Sequence, residues 1–316
     1  MQNKNNNLKK VKVAFMGTPE FAVHSLQALI DDKYDIIAVF TAPDRKKGRG
    51  QQISFSPVKQ AALDNNIPVM QPVRIKKTEW VEKIKELQPD IIIVAAFGQI
   101  IPQSILDIPT YGCVNVHASL LPKYRGAAPI HYALRNGDKE TGITIMKMEA
   151  GLDTGDIITN DKLQITNNDN LETLHDKLAV MGANLLIKTL PDYIGGKIQP
   201  IKQDESRATV TERLKKEDGR IDWHKSGPEI VNMVRAFNPW PGTFTQWEGK
   251  YLKIIAAESS DEKLSPGEVK IDDDQIYIGT ADFAVKIIKL QLAGKKTVTA
   301  SEFSRSGQMR DGHYLI

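Results

Sequence analysis

The chain has 316 residues, nearly balanced charge and a single cysteine, and these features exclude several classes of protein. Hydrophobic residues make up 41% and charged residues 26%, which is typical of a folded globular protein and excludes a largely disordered chain. The lone Cys113 excludes an intrachain disulfide scaffold and a zinc site built from several cysteines. The length predicts about two domains, and a formal net charge of +3 does not by itself indicate a nucleic-acid partner.

Signals for membrane insertion or export are absent from the sequence. The longest strongly apolar run, 91–97, is much shorter than the ~20 residues of a membrane-spanning helix. The apolar run at 11–16 is too short for a secretory signal. We therefore expect a cytoplasmic protein without a membrane-spanning segment.

Strand-like and helix-like segments alternate over the first 200 residues. Thr18 is predicted to cap the first helix with Pro19 at its first position, and Ser56-Pro57 repeats that pattern. The order of the segments predicts an α/β domain with an open, mostly parallel sheet. Apolar runs typical of buried strands lie at 11–16, 36–41, 90–96, 114–117 and 143–148, and 170–190 has the periodicity of an amphipathic helix.

The pattern changes after Gly195-Gly196. The polar, Lys/Arg-rich stretch 197–220 is predicted to be a linker, and a helix is predicted at about 228–237. Short β-like runs separated by turn residues then predict a small all-β domain that closes as a barrel. These runs are 243–247, 251–256, 267–271, 275–279 and 284–292. The predicted domains are therefore 1–196 and 221–316, joined by 197–220.

Asn115 and His117 form a candidate catalytic pair. Residues two apart in a strand project to the same face, so an amide and an imidazole would lie side by side near the carboxyl end of a strand. Ligands of open α/β sheets bind outside those ends. The amide can donate to a developing oxyanion and the imidazole can carry a proton. From the residues alone, a histidine that merely satisfies its hydrogen bonds at a strand end remains an open alternative.

Asp153 lies in a glycine-flanked loop, 151–156, between two strand-like runs. It could cap a turn, or it could lie beside His117 and orient the ring, and spacing does not choose between these roles. The segment 17–20 has the position of a dinucleotide-binding turn but lacks the later glycines, which favours a capped helix start over NAD binding. The other histidines have no ligand-like spacing, so no metal site is expected.

Basic residues are concentrated in two stretches of the chain. The segment 43–59 carries a net charge of +4, and Gly48 and Gly50 predict that it is a flexible loop. The segment 286–310 carries a net charge of +5. One such stretch is usually solvated surface, but two of them together with a small β domain are compatible with a nucleic-acid partner.

Longer motifs carry a family resemblance. They are FMGTPEFA at 15–22, NVHASLLP at 115–122 with RGAAPI at 125–130, the segment 142–156, and RAFNPWPG at 235–242. Together they resemble the methionyl-tRNA formyltransferase family, and the resemblance runs from about residue 10 to the C-terminus. It implies a Rossmann-like catalytic domain with a mostly parallel sheet, followed by a C-terminal OB-like barrel that binds tRNA.

The resemblance also implies an activity and its residues. A formyl group would pass from 10-formyltetrahydrofolate to the methionyl amino group of initiator methionyl-tRNA, in a monomer and without a metal. Asn115, His117 and Asp153 would be the catalytic residues. Folate contacts would come from Ser119, Leu120, Leu121 and Pro122, and tRNA contacts from the basic loop 44–52 through Arg45, Lys46, Lys47 and Arg49.

One position departs from the family pattern, and related activities remain as alternatives. Phe97 stands where many relatives have Tyr, which removes a hydroxyl near the expected folate pocket. The alternatives are a folate-dependent formyltransferase acting on glycinamide ribonucleotide or a sugar nucleotide, a formyl-folate hydrolase, and an RNA-binding protein without activity. The second domain disfavours the glycinamide enzyme, the basic loop disfavours the sugar-nucleotide enzyme, and the intact catalytic residues disfavour pure RNA binding.

Overall fold

The computed structural model describes residues 11–47 and 52–316, which divide into two compact units. The first unit comprises the residues up to Gly126 together with 141–163 and 175–210. The second comprises 127–140, 164–174 and 211–316. The two units thus alternate along the chain, and the domain boundaries at 196 and 220 stay predictions.

Strands and helices follow one another along the chain. The strands are β1 (Lys12–Gly17), β2 (Asp35–Phe40), β3 (Arg45–Lys47), β4 (Gln52–Ser54), β5 (Val69–Met70), β6 (Ile91–Ala95), β7 (Cys113–His117), β8 (Arg125–Gly126), β9 (Glu140–Lys147), β10 (Ile157–Gln164), β11 (Val210–Thr211), β12 (Thr243–Trp247), β13 (Lys250–Ser259), β14 (Val269–Asp272), β15 (Gln275–Ile278), β16 (Val285–Leu292) and β17 (Val298–Thr299). The helices are α1 (Glu20–Asp31), α2 (Pro57–Asp64), α3 (Thr78–Leu87), α4 (Gln103–Leu106), α5 (Pro129–Arg135), α6 (Leu171–Ile194), α7 (Gly227–Phe237) and α8 (Ala300–Arg305). Short 3₁₀ turns lie at Glu205–Arg207 and Lys216–Gly219.

A seven-stranded sheet in the order β10-β9-β7-β6-β1-β2-β5 forms the first unit's framework. The strands from β7 to β5 pair in parallel, whereas β9 runs antiparallel to β7. The chain moves from β1 to one side through β2 and β5, then returns to the other side of β1 with β6. Such a reversal of strand order opens a crevice at the carboxyl ends of the strands. The prediction of a mostly parallel, Rossmann-like sheet is confirmed.

Buried apolar side chains explain why the central strands form. All five residues of β6, with the sequence IIIVA, are buried, as expected for a strand covered on both faces. One apolar cluster joins Met16 of β1, Phe40 of β2, Val94 of β6 and Ile84 of α3. A Cβ at Gly17 would lie 2.7 Å from the Cβ of Ala22, so the turn after β1 packs too closely for a side chain.

The predicted cap of the first helix is wrong. Pro19, not Thr18, occupies the N-cap position of α1, and no side chain caps this helix. The Thr18 hydroxyl instead accepts the N–H of Ala42 at 3.3 Å and donates to the carbonyl of Phe97 at 3.4 Å. Contacts between loops that are distant in sequence therefore replace the local cap. At α2 the same pattern is confirmed, because the Ser56 hydroxyl accepts the N–H of Lys59 at 3.0 Å.

The basic segment is more regular than the predicted flexible loop. Its described ends, β3 and β4, pair in antiparallel fashion as a hairpin, with Arg45 opposite Ser54. This pairing satisfies N–H and C=O groups that an irregular loop would leave to water, and the flexibility expected from Gly48 and Gly50 stays a prediction. Residues 48–51, which include the predicted tRNA contact Arg49, lie outside the described residues.

The second unit contains an antiparallel sheet in the order β12-β13-β16-β15-β14, with β17 added to β16. Residues 313–316 bond to both ends of this order. Ile316 exchanges backbone hydrogen bonds with Gln246 of β12, and His313 accepts the N–H of Val269 of β14 at 2.8 Å. The sheet is thereby closed around a buried core, and the predicted small β barrel is confirmed. That core includes Trp247, Leu252, Ile276, Leu290 and Leu315.

No helix in the described ranges is long and apolar enough to cross a membrane.

Candidate active site

Strand β7 delivers the two predicted polar residues to one place. Its five residues, CVNVH, are all buried, and Asn115 lies beside Val94 of β6 while His117 lies beside Thr144 of β9. His117 is therefore the last residue of a central strand, at the carboxyl edge of the parallel part of the sheet. Asn115 and His117 are only 8% and 6% exposed, so both polar groups act in an environment of low solvent access.

The loop after β9 brings Asp153 to these two side chains. Its Oδ1 lies 3.5 Å from the Asn115 amide nitrogen, and its Oδ2 lies 3.7 Å from Nδ1 of His117. The same Oδ2 accepts the backbone N–H of Gly126 at 2.8 Å. Of the two roles that the sequence left open, the position beside the imidazole is present, and the backbone N–H that Asp153 accepts comes from Gly126, 27 residues away, rather than from a turn of its own loop.

A backbone carbonyl fixes the proton on the imidazole ring. Nε2 of His117 lies 2.9 Å from the carbonyl oxygen of Tyr124. A carbonyl oxygen can only accept, so Nε2 must carry the hydrogen and donate it. The other nitrogen, Nδ1, therefore faces Asp153 and Asn115 and is the one available for chemistry.

A buried cation, Arg125, lies near Asp153. Arg125 is 4% exposed, and its guanidinium donates to both carboxylate oxygens of Glu205, at 2.9 and 2.7 Å. The hydrogen bond to Glu205 raises the pKa of Arg125, against the effect of burial, and the charge of Asp153 raises it further. The same bond lowers the pKa of Glu205. The arrangement keeps a positive charge near Asp153.

The segment predicted to bind folate lies directly after β7. The Ser119 hydroxyl donates to the carbonyl of Lys123 at 2.6 Å, so it closes a turn. The Thr144 hydroxyl donates to the Ser119 carbonyl at 2.7 Å and accepts the N–H of Leu121 at 3.1 Å. Leu120 is half-buried, and a cis peptide bond joins the buried Leu121 and Pro122. These contacts hold the segment against β9.

The basic hairpin does not share a described hydrogen bond or ion pair with Asn115, His117 or Asp153. Arg45 on β3 is exposed, and Lys46 and Lys47 follow it in that strand. Asp44, at the base of the hairpin, accepts from Lys59 at 2.6 Å and from Gln71 at 2.8 Å. The hairpin is therefore fixed at its base, while Arg45 at the start of β3 is exposed.

Several groups at the site were not predicted from the sequence. The Tyr124 carbonyl and the Gly126 N–H are backbone groups, for which residue type gives no signal. Gln203 was placed in the predicted linker, yet it is buried and its amide nitrogen donates to the carbonyls of Asp153 and Gly155, at 2.8 and 2.7 Å. A lone glutamine in a polar stretch has no periodicity that could have identified it.

Two further predictions concern positions close to this group. Cys113 is 1% exposed, and burial raises the pKa of its thiol to about 12, which fits a packing role. Phe97 is also buried and belongs to the same apolar cluster as Cys113. Among the described residues, no three His, Cys, Asp or Glu side chains are grouped so that they could hold a metal ion.

Comparison with known families agrees with the fold. A family model described as formyl transferase matches residues 9–190. A second model, described as formyl transferase, C-terminal domain, matches residues 213–308. The parallel sheet, the barrel and the two matching family models together identify the chain as a formyl transferase.

Curated relatives show which kind of formyl transferase the chain resembles. Methionyl-tRNA formyltransferase of Bacillus velezensis is 46% identical over 308 residues, which cover 96% of this chain and 97% of the relative. The chain therefore belongs to the methionyl-tRNA formyltransferase family.

Solved structures share the fold at lower identity. Methionyl-tRNA formyltransferase from Clostridium thermocellum superposes with a TM-score of 0.56 at 19% identity, over 80% of this chain and 95% of that one. An N-formyltransferase from Helicobacter canadensis, in complex with folinic acid and dTDP-3-aminofucose, superposes with a TM-score of 0.68 at 23% identity, over 88% and 98%.

Proposed function

We propose that this protein transfers the formyl group of 10-formyltetrahydrofolate to the methionyl amino group of initiator methionyl-tRNA. The observation that carries the proposal is the grouping of Asn115, His117 and Asp153 at the carboxyl end of β7, in a chain of this family. The folinic acid in the Helicobacter canadensis enzyme, which is itself a formylated folate, supports a folate co-substrate. The names of the curated relatives support the tRNA acceptor.

The reaction begins when the methionyl amine attacks the formyl carbon. A tetrahedral intermediate forms, and the former carbonyl oxygen becomes an oxyanion. The Asn115 amide donates one hydrogen bond to this oxygen, since its contact with Asp153 is long, at 3.5 Å, and involves only one of its two N–H groups. Donors fixed in place before the reaction stabilise such an oxyanion most strongly.

His117 supplies the second stabilising group and moves a proton. Because Nε2–H is committed to the Tyr124 carbonyl, the protonated ring presents Nδ1–H to the oxyanion. Oδ2 of Asp153 lies 3.7 Å from Nδ1, a distance longer than a hydrogen bond, so Nδ1–H stays available to the oxyanion. The intermediate then collapses, the bond to the folate nitrogen breaks, and the proton lost by the attacking amine reaches that nitrogen through Asp153 and His117.

The remaining assignments belong to the same proposal. Folate is bound by Ser119, Leu120, Leu121 and Pro122, with backbone groups and apolar side chains making the contacts because the Ser119 hydroxyl is already used within its turn. Acceptor tRNA is bound by Arg45, Lys46, Lys47 and Arg49 and by the barrel. A cytoplasmic monomer without a metal remains part of the prediction.

The acceptor can be tested directly. Purified protein is incubated with 10-formyltetrahydrofolate and, separately, methionyl-tRNA, glycinamide ribonucleotide, a dTDP-amino sugar or buffer. We expect formylation of methionyl-tRNA alone, measured as acid-stable formylmethionine released from the tRNA. Formylation of another acceptor, or release of formate in buffer at the same rate, would contradict the proposal.

The catalytic residues can be tested in single turnovers. Asn115→Ala should lower the rate roughly 10²–10³-fold, because it removes one oxyanion donor. His117→Ala and Asp153→Ala should also lower the rate strongly. Asn65→Ala is a matched control, since Asn65 is exposed and the described hydrogen bond of its amide goes to the Ala61 carbonyl of its own helix. Near-wild-type rates for the three site variants would overturn the assignment.

A further inference from the structure

We propose that Gln203 is a positioning residue for Asp153, an inference that rests on the proposed function. Gln203 is 9% exposed and lies 50 residues from Asp153 in the sequence. Its amide nitrogen donates to the carbonyls of Asp153 and Gly155, at 2.8 and 2.7 Å. These two bonds bracket Thr154 and hold the backbone that carries the carboxylate.

The Asp153 backbone adopts a conformation that requires such support. Its φ is +54°, in the left-handed region that a residue with a side chain rarely adopts. Residues in this region persist where surrounding contacts fix them, and such residues concentrate at functional sites. The following Gly155 is equally constrained, because a Cβ there would lie 1.8 Å from the carbonyl oxygen of Lys147. The loop is therefore packed closely against β9 and is also bonded to Gln203.

Arg125 determines the orientation of the Gln203 amide. The Oε1 atom of Gln203 accepts from Nε of Arg125 at 3.0 Å and from Nη2 at 2.9 Å. A guanidinium can only donate, so the oxygen must face Arg125 and the NH₂ must face the two loop carbonyls. Glu205 in turn holds Arg125. A chain of three side chains thus ends on the Asp153 backbone.

The carboxylate and the backbone carbonyl of Asp153 are both held by this hydrogen-bond network. Gly126, which follows Arg125 directly, donates its N–H to the carboxylate at 2.8 Å. The Gln203 amide donates to the backbone carbonyl of Asp153 at 2.8 Å. With both ends fixed, the 3.7 Å approach of Oδ2 to His117 is defined by contacts outside the catalytic residues. Gln203 touches neither reacting group and acts only through Asp153.

Two substitutions separate positioning from packing. Gln203→Glu keeps size and the acceptor for Arg125, but it sets an oxygen against the two loop carbonyls. Gln203→Met keeps length and adds no charge, but it removes both donated bonds. Both variants should lower kcat roughly 10–100-fold, because small displacements of a catalytic group are costly. KM for both substrates should stay near the wild-type value. Gln199→Glu is the matched control, since Gln199 is exposed and its only described bond is a long one to Gly196.

The experiment measures kcat, KM for each substrate and the pH profile of kcat, with circular dichroism as the check on folding. A fall in kcat at constant KM, with an altered pH profile and a normal Gln199→Glu control, supports the inference. Wild-type kcat in folded Gln203→Met overturns it, as does a rise in KM alone or a Gln203→Met chain that does not fold. A wild-type protein inactive on methionyl-tRNA overturns the proposed function as well, so the two failures are distinguishable.

Discussion

Single residues at this site are held largely by backbone groups. His117 donates to the Tyr124 carbonyl and Asp153 accepts the Gly126 N–H, so backbone groups orient the ring proton and one oxygen of the carboxylate. Substitutions at Tyr124 and Gly126 that keep their backbone conformation would leave these two bonds in place. The requirement at both positions is conformational, since their φ values are +60° and +103°.

The ion pair between Arg125 and Glu205 should make stability depend on pH. The bond to Arg125 lowers the pKa of Glu205 below its ordinary value of 4.5. A carboxylate with a lowered pKa in the folded state stabilises that state above its ordinary value, and the contribution disappears as pH falls through the lowered one. Glu205→Gln should therefore lower the melting temperature at neutral pH and lose this effect in acid.

Thermal unfolding of wild type and variant, measured at neutral and strongly acidic pH, checks this expectation. The difference in melting temperature should shrink as the solution becomes more acidic. A difference that stays constant across that range would show that the ion pair does not contribute through the charge of Glu205.

Among the secondary-structure elements, the β3–β4 hairpin contains the basic strand β3 and is held in place by side-chain hydrogen bonds of Asp44, just before it. Asp44 is bonded to Lys59 and Gln71, and the Lys59 ammonium also lies 3.9 Å from the centre of the Phe55 ring. The Lys59 ammonium is thus paired within the protein, whereas the Arg45 side chain is exposed. Lys59 and Arg45 therefore differ in what they can offer to a phosphate.

Arg45→Ala should raise KM for methionyl-tRNA and leave kcat at saturating tRNA unchanged. Each phosphate contact contributes to the salt dependence of binding, so the slope of log affinity against log salt should fall by roughly one. Lys85→Ala is a charge-matched control on α3, where Lys85 pairs with Glu82. Equal KM and equal slope in Arg45→Ala and wild type would remove Arg45 from the tRNA interface.

Elements with a strong apolar period could be predicted, and those without one could not. The runs 90–96 and 243–247 became β6 and β12 because continuous or regularly placed apolar residues suit only a buried strand there. β10 was recognised only as a strand-like run after the loop 151–156, without bounds, since most of its residues are at least partly exposed and its sequence, IITNDKLQ, is polar. The cap at Thr18 failed because contacts with Ala42 and Phe97 are not encoded locally.

The same limit applies to the candidate site. Asn115 and His117 could be paired from a spacing of two in a strand, and Asp153 could be named as a candidate. Their approach across a loop depends on Gly126 and Gln203, whose roles arise only after folding. Residue types alone indicated the chemistry of Asn115, His117 and Asp153, but they did not indicate which groups position these side chains.

For the whole molecule, closure of the second unit depends on its last residues. Leu315 is buried in the barrel core, and its N–H bonds to Gly267, while the neighbouring Ile316 side chain is 75% exposed. Both positions are bonded through their backbone, Leu315 to Gly267 and Ile316 to Gln246, but their side chains differ in burial. They offer a matched test of how much the core, rather than the backbone pairing, stabilises closure.

Leu315→Ala should lower the free energy of unfolding by about 2–5 kcal/mol, as for other buried leucines. Ile316→Ala should lower it by much less, because little apolar area is lost at an exposed position. Urea unfolding followed by tryptophan fluorescence checks this, since Trp247 lies in the same core. Equal effects of the two substitutions would mean that side-chain burial at Leu315 does not stabilise the barrel.

Cys113 gives this protein a built-in reporter of strand opening. It is the only thiol in the chain, it is buried, and it lies two residues before Asn115 on β7. Alkylation requires an accessible thiolate, so iodoacetamide should label the native protein slowly at mildly alkaline pH and the urea-unfolded protein at once. The labelling rate then measures how often the catalytic strand separates from its neighbours, and a folate ligand bound at that strand should slow it. Rapid, complete labelling of the native protein would show that β7 opens freely.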